Sequence, residues 1–246
     1  ERILRAVQPD LIGFQEIDDY TAEQTAARID SIPSLAETPW YHSKAGDNVA
    51  LSKYPITETF DVEGNGIFLI DLRPHNPSHL LLVVAHTPCC DKNKERQFEI
   101  DAVMAFVRDA RTPGGQLHLE PDTPILVIGD MNLVGDAQQL GTLLTGDILN
   151  RDRFGTPFAP DWDGTPLADL SPHQTERPVT YTWYRDQSTF TPGRLDFIVY
   201  TDSVLDVGNR FILFTRQMSP DSLAAYGLQL EDVIQASDHL PVVGDF

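Results

Sequence analysis

The stretch Pro124-Ile-Leu-Val-Ile-Gly-Asp-Met-Asn132 constrains this chain more than any other. Four consecutive aliphatics, three of them β-branched, read as a strand buried on both faces, which demands packed layers above and below it. Gly129 lets the backbone turn tightly. Asp130 and Asn132 then emerge at the strand's carboxyl end, where α/β sheets bind their ligands. A carboxylate and an amide held so close on a rigid strand end address one small polar target from the same side. A strand followed by an Asp/Asn turn is also common without any function, so the remaining chain decides.

Its pattern is alternating strand and helix. Residues 1–8 read as the end of a helix closed by Pro9, and Leu11–Phe14 as a short buried strand that delivers Gln15 and Glu16. Thr21-Ala-Glu-Gln24 has capping-box spacing and predicts a helix to about Ile32. After a Pro/Trp-bearing loop, Asn48–Ser52 reads as a strand and Tyr54–Thr57 as its exit. Ile67–Leu72 and Leu80–Ala85 read as a strand pair around a Pro/Asn/His loop, the second strand ending in His86. Ile100, Val103, Met104 and Val107, at i, i+3, i+4 and i+7, predict a helix covering a sheet. Asp136–Leu144 reads as a short helix with Gly146 placed to stop it. Residues 147–179 are irregular, and a loop that long is usually functional or mobile. Thr180–Trp183, Leu195–Tyr200, Phe211–Phe214 and Leu240–Val243 predict strands, with a helical patch near Ser222–Tyr226. Neither a repeat nor a linker interrupts residues 1–246, so one domain with a sizeable core is expected.

Charge narrows the partners. Lys and Arg number 18 against 37 Asp and Glu, a net of −19. Such a surface repels polyanions and argues against tight non-specific coating of nucleic acid, while metal ions that neutralise a site locally still allow a phosphodiester to be processed. No apolar run is long enough to span a bilayer. The only cysteines, Cys89 and Cys90, are adjacent and bridge only with a distorted peptide, so an ordinary disulfide framework is excluded and the compartment is left open. They also lack the further soft ligands that a metal site would need.

Five polar clusters recur beside the apolar strands: Gln15-Glu16, His86, Asp130/Asn132, Asp196 and Asp238-His239. A lone histidine such as His86 is more often structural than catalytic. A lone Asp within a strand is unusual, because burying an unpaired carboxylate costs several kcal/mol. His239 is the natural partner for Asp196.

Taken in order, the motifs resemble the endonuclease/exonuclease/phosphatase family, the metal-dependent fold of DNase I-like nucleases, neutral sphingomyelinases and inositol-phosphate phosphatases. The residues that carry the resemblance are Asp10-Leu-Ile-Gly-Phe-Gln-Glu16, Asn48-Val-Ala-Leu-Ser-Lys-Tyr-Pro-Ile56, Val84-Ala-His86, Gly129-Asp-Met-Asn132, Arg194-Leu-Asp-Phe-Ile198 and Ser237-Asp-His-Leu-Pro241. The resemblance implies an α/β fold, a two-sheet, four-layer α/β sandwich of the DNase I-like kind, missing its first strand. In the family that strand precedes the helix at Glu1–Val7 and ends in an asparagine near the metal. About 10–30 further residues are accordingly expected upstream. The strands ending near Glu16, Asp130 and Asp238 are expected to lie side by side.

Roles follow by the same resemblance. Glu16 ligates a divalent metal, and Asp238 binds it or its water shell. Asp130 orients or deprotonates the attacking water, and Asn132 donates to a phosphoryl oxygen. His239, held by Asp196, contacts the phosphate, and His86 is an acid or phosphate ligand. Oxygen ligands suit Mg²⁺, Mn²⁺ or Ca²⁺ rather than zinc. Arg96, in the basic cluster with Lys92 and Lys94, and His173 in the long loop are further candidate substrate contacts. The expected activity is metal-dependent hydrolysis of a phosphoester, foremost a phosphodiester, by a monomer that engages nucleic acid weakly unless metal is present. The rival is a non-catalytic binding or scaffold module that retains the fold.

Overall fold

The computed structural model describes residues 1–36, 38–75 and 77–246; Asn76 of the expected Pro/Asn/His loop lies outside them. Eleven strands are described: β1 (Leu11–Phe14), β2 (Tyr41–Ala45), β3 (Asn48–Ser52), β4 (Ile56–Val62), β5 (Asn65–Asp71), β6 (His79–His86), β7 (Ile125–Asp130), β8 (Ala168–Asp169), β9 (Asp196–Tyr200), β10 (Arg210–Ile212) and β11 (Val242–Gly244). The helices are α1 (Arg2–Val7), α2 (Ala22–Asp30), α3 (Asn93–Ala110), α4 (Ala137–Thr145), α5 (Arg151–Phe154), α6 (Pro220–Tyr226) and α7 (Asp232–Ala236). None of the described helices is long and apolar enough to cross a membrane.

The large sheet runs β4-β5-β6-β7-β9-β8, the smaller one β1-β3-β2, and β10 pairs with β11 alone. The apolar runs behave as a doubly buried sheet requires. In β6, Leu81, Val83 and Ala85 face one core while Leu80, Leu82 and Val84 face another; β7 divides in the same way, Ile125 and Val127 against Leu126 and Ile128. The first core is closed by α3 through Ile100, Val103, Met104 and Val107, the predicted stripe. The second lies between the sheets, where Ala45 and Ala50 meet Phe68 and Ile70. The outer face of the small sheet packs Val49 and Leu51 on Ala26 and Ile29 of α2. Helix, sheet, sheet, helix is the four-layer sandwich expected. The parallel pairing of β6 with β7 is made possible by α3 crossing between them.

Local chemistry sets the helix ends. Thr21 Oγ1 accepts from Gln24 N at 3.1 Å while Gln24 Oε1 accepts from Thr21 N at 2.9 Å, the reciprocal capping box. Asp136 caps α4, and Gly146 ends it at φ 69°.

Four expectations are corrected. Tyr54–Thr57 is not merely an exit: β4 starts at Ile56 and pairs with β5. Residues 147–179 include α5 and the two-residue β8. Thr180–Trp183 forms no strand, only isolated bridges from Trp183 to Gly193 and His239. The strand leading to Glu16 does not lie beside the one ending in Asp130. It belongs to the other sheet and faces it: a Cβ on Gly13 would stand 2.7 Å from Ile128 Cδ1 and 3.0 Å from Val84 Cγ2. A side chain there would wedge the sheets apart, so glycine lets them converge where the polar clusters gather. β1 pairs with β3 on one side, and its other edge has no strand partner among the described residues.

Candidate active site

Three adjacent strands end in one row. His86 of β6 is in register with Asp130 of β7, and Asp130 with Asp196 of β9. Gly129, at φ 123°, permits that row, since a Cβ there would lie 2.1 Å from the carbonyl oxygen of Ala85. The fourth member arrives from the chain end. Thr182 Oγ1 accepts from the N–H groups of Leu195 and Asp196, Leu240 N donates to Thr182 O, and Trp183 bridges to His239. His239 is thereby held above Asp196.

The imidazoles are arranged as a matched pair. His239 Nδ1 lies 2.9 Å from Asp196 Oδ2, and His86 Nδ1 lies 2.7 Å from Asp47 Oδ2. Each ring is thus fixed at Nδ1 by its own carboxylate and turns Nε2 towards Asp130. Asp130 Oδ2 stands 3.8 Å from Nε2 of His239 and 4.0 Å from Nε2 of His86. Asp130 itself is pinned by Asn132, whose backbone N–H reaches Oδ1 at 2.9 Å and whose amide reaches Oδ2 at 2.8 Å.

Electrostatics sets Asp130 and His239 apart. Burial raises the Asp130 carboxyl to about 6, aided by the charge of Asp196 and opposed by His239, the Asn132 N–H and His86. For His239, burial is the largest influence and lowers the pKa. The Asp196 hydrogen bond and the charges of Asp196, Asp130 and Asp238 together outweigh it, and the imidazole rises to about 9. At neutral pH Asp130 is therefore mostly ionised and His239 protonated.

Glu16 joins this cleft. It has left-handed backbone at φ 58°, and its exposed carboxylate places Oε1 3.6 Å from His86 Nε2. Asp238, next to His239, has its Oδ2 accepting from Trp183 Nε1 at 3.3 Å. Both carboxylates keep oxygen lone pairs free for a cation. Asp130, Asp196 and His239 also lie close enough together to suggest a metal triad; His239 gives Nδ1 to Asp196 and Asp130 accepts from Asn132 at both oxygens, which leaves His239 Nε2 as the free nitrogen facing Asp130.

Three candidates stand differently from expectation. Asn132 is buried, and its amide donates one N–H to Thr87 O and the other to Asp130, so neither is left to meet a phosphoryl oxygen. Arg96 is not on the surface at all. It is fully buried and donates to Gln139 Oε1, Asn93 Oδ1 and the carbonyls of Pro88 and Cys90. A buried guanidinium costs several kcal/mol unless so satisfied; Arg96 pins the loop after His86. His173 is exposed, and its carbonyl accepts from Ile212 N without its side chain joining the cluster by a hydrogen bond or ion pair. Conversely, Asp47 went unread in the sequence, as did Asn65, whose buried Oδ1 accepts from His86 N at 3.1 Å. The signal for Asp47 was present: Gly46-Asp47 is a two-residue hairpin loop between β2 and β3.

A search of curated proteins by sequence returns no match. Among solved structures, ANGEL2, a 2',3'-cyclic phosphatase, superposes with a TM-score of 0.60 at 14% identity, over 99% of this chain and 83% of that one. Beta toxin from Staphylococcus aureus gives 0.56 at 15% identity, over 99% and 92%. D. rerio TDP2 complexed with a single-strand DNA product gives 0.56 at 15% identity, over 97% and 86%. At such identities the likeness is one of fold. The model of the Endonuclease/Exonuclease/phosphatase family matches residues 1–239, nearly the whole length, and the chain belongs to that family.

Proposed function

We propose that this chain is a divalent-metal-dependent hydrolase that cleaves a phosphodiester by attack of water on phosphorus. The carrying observation is the pair of histidines whose Nε2 atoms flank one oxygen of Asp130, each ring anchored at Nδ1 by its own carboxylate. Displacement at phosphorus needs a deprotonated nucleophile, positive charge on the non-bridging oxygens and a proton for the leaving oxygen. Asp130, ionised at neutral pH, takes the proton from water. His239, protonated, donates Nε2–H to a phosphoryl oxygen and stabilises its growing charge. His86 presents Nε2 from the opposite side, where a leaving alkoxide collects a proton. Asn132 keeps Asp130 in place for this work.

The donor set fits a hard cation. Glu16 and Asp238 would hold it through carboxylate oxygens, and Mg²⁺, Mn²⁺ or Ca²⁺ suits such ligands better than zinc. When bound, the ion supplies neutralisation of the phosphoryl group. One beta-toxin relative, similar in fold at a TM-score of 0.52, has been solved with bound magnesium ions. The phosphatase and DNA-product names of the other relatives support phosphoester chemistry at this fold. A diester is favoured over a monoester because His86 offers leaving-group assistance, while Arg96, the basic residue expected at the cleft, is buried and engaged elsewhere.

A hydrolysis panel tests the proposal: bis-p-nitrophenyl phosphate, p-nitrophenyl phosphate, plasmid DNA, RNA and sphingomyelin, each with Mg²⁺ or Mn²⁺ and again with EDTA. Turnover of at least one diester that EDTA abolishes is expected. Inertness towards every diester would hand the fold to the scaffold reading, and turnover indifferent to EDTA would remove the metal.

A further inference from the structure

The loop that follows His86 carries two exposed free thiols side by side, Cys89 and Cys90. The two residues are neighbours in the chain, and Cys90, with burial, pushes the Cys89 thiol up. Cys90 also has left-handed backbone, φ 66°, a conformation costly for a residue with a Cβ. The pair is coupled to the cleft by hydrogen bonds already described. Arg96 Nη2 holds the Cys90 carbonyl at 3.2 Å and Nη1 holds the Pro88 carbonyl. Next along the chain, Thr87 O takes the Asn132 amide at 2.9 Å, and Thr87 N donates to Asp130 O at 3.0 Å.

We propose that Cys89–Cys90 is a modification site at which a hydroperoxide joins the two thiols into a vicinal disulfide that disturbs the His86–Asn132 side of the cleft. The chemistry balances. One thiol sulfur attacks a peroxide oxygen, the O–O bond breaks, and an alcohol or water leaves with a sulfenic acid formed. The second thiol displaces hydroxide from that sulfenic acid, which departs as water, and the S–S bond closes. Two sulfurs have then lost one electron each, and the peroxide has taken both. A disulfide between neighbouring residues closes a small ring that forces the intervening peptide out of its ordinary geometry. Here that peptide includes the carbonyl of Cys89, and the Cys90 carbonyl beyond it is tied to buried Arg96. Displacement is therefore passed to Pro88 and Thr87, on which the seating of Asn132 and Asp130 depends. A shift of about 1 Å in such a seat costs about a hundred-fold in rate.

The proposal rests on the hydrolase reading for its effect on rate, but not for the modification itself. The experiment treats wild type, Cys89→Ser and Cys90→Ser with hydrogen peroxide, then with dithiothreitol. It follows intact mass, the NMR signal of the His86 ring (assigned with His86→Gln) and hydrolysis of bis-p-nitrophenyl phosphate. Wild type should lose about 2 Da, shift its His86 signal and slow by about ten- to a hundred-fold, with all three reversed by reductant. Neither serine variant should lose that mass, and each should match untreated wild type in basal rate. No mass loss in wild type overturns the proposal, as does a disulfide that leaves the His86 signal and the rate unchanged. A reversible disulfide that moves the His86 signal in a protein inert to every diester supports the modification site and overturns the hydrolase reading alone.

Discussion

Replacing Asp196 with Asn tests the electrostatic arrangement with the least disturbance of shape. Asparagine keeps an acceptor for His239 Nδ1, now 2.9 Å from Asp196 Oδ2, but removes the charge. Burial already pulls the His239 pKa down. The Asp196 hydrogen bond and charge lead the influences that lift it from 6.5 to about 9. A return to about 6.5 would cut the protonated fraction at about pH 8 by about thirty-fold. Asp130 responds too, because the charge of Asp196 helps burial to hold its carboxyl near the value of about 6. Wild type should therefore give a bell-shaped rate profile, rising as Asp130 ionises and falling as His239 deprotonates. In Asp196→Asn both limbs should move to lower pH, the alkaline limb by more. Stability follows the same sign. His239 titrates higher folded than unfolded, so its contribution is complete below about 6.5 and lost as pH rises through about 9. The gap in Tm between wild type and variant should be widest at acidic pH and close at alkaline pH. The profile is read with bis-p-nitrophenyl phosphate and Mg²⁺, and the His239 titration by NMR. A folded variant whose alkaline limb and His239 titration stay where wild type has them refutes the reasoning.

Other consequences are independent of that pair. Gly129→Ala should cost about 3 kcal/mol or more in chemical denaturation, since the new Cβ meets the Ala85 carbonyl in backbone that alanine resists; unchanged stability would mean that β7 can turn some other way. Glu16→Gln and Asp238→Asn should each weaken Mg²⁺ binding in calorimetry by about ten-fold or more, and wild-type affinity in both would free them from that role. At −19 overall, binding to random duplex DNA in EDTA and physiological salt should be weaker than about 1 μM; tighter binding would reveal a basic surface overlooked in this fold.

What could be read ahead of the structure divides along physical lines. β6 and β7 announced themselves because strands buried on both faces are apolar without interruption, and their ends carried His86 and Asp130 into view. β4 hid because it is half exposed at the sheet edge, with Glu58 standing where its register shifts. β2 hid because Tyr41-His-Ser-Lys leaves little apolar signal. Asp47 was concealed by being fully explicable as a hairpin turn; only the stacking of one sheet over the other sets that turn against His86. Arg96 misled because charge suggests solvent, yet it lies four residues before Ile100, on the stripe that α3 buries. Its periodicity pointed inward and was the better guide. Asn132 was read as a ligand of the substrate because strand-end position gives a side chain's neighbourhood but not which hydrogen bonds it has already made.

The central claim is that Asp130 takes the proton of the attacking water while protonated His239 stabilises the growing charge on a phosphoryl oxygen of one phosphodiester. The most direct measurement compares steady-state hydrolysis of bis-p-nitrophenyl phosphate, at saturating Mg²⁺, by wild type, Asp130→Ala and His239→Ala, with folding checked by circular dichroism. Each variant should keep the fold and lose about two to four orders of magnitude in kcat. Folded variants that turn over at the wild-type rate would contradict the account.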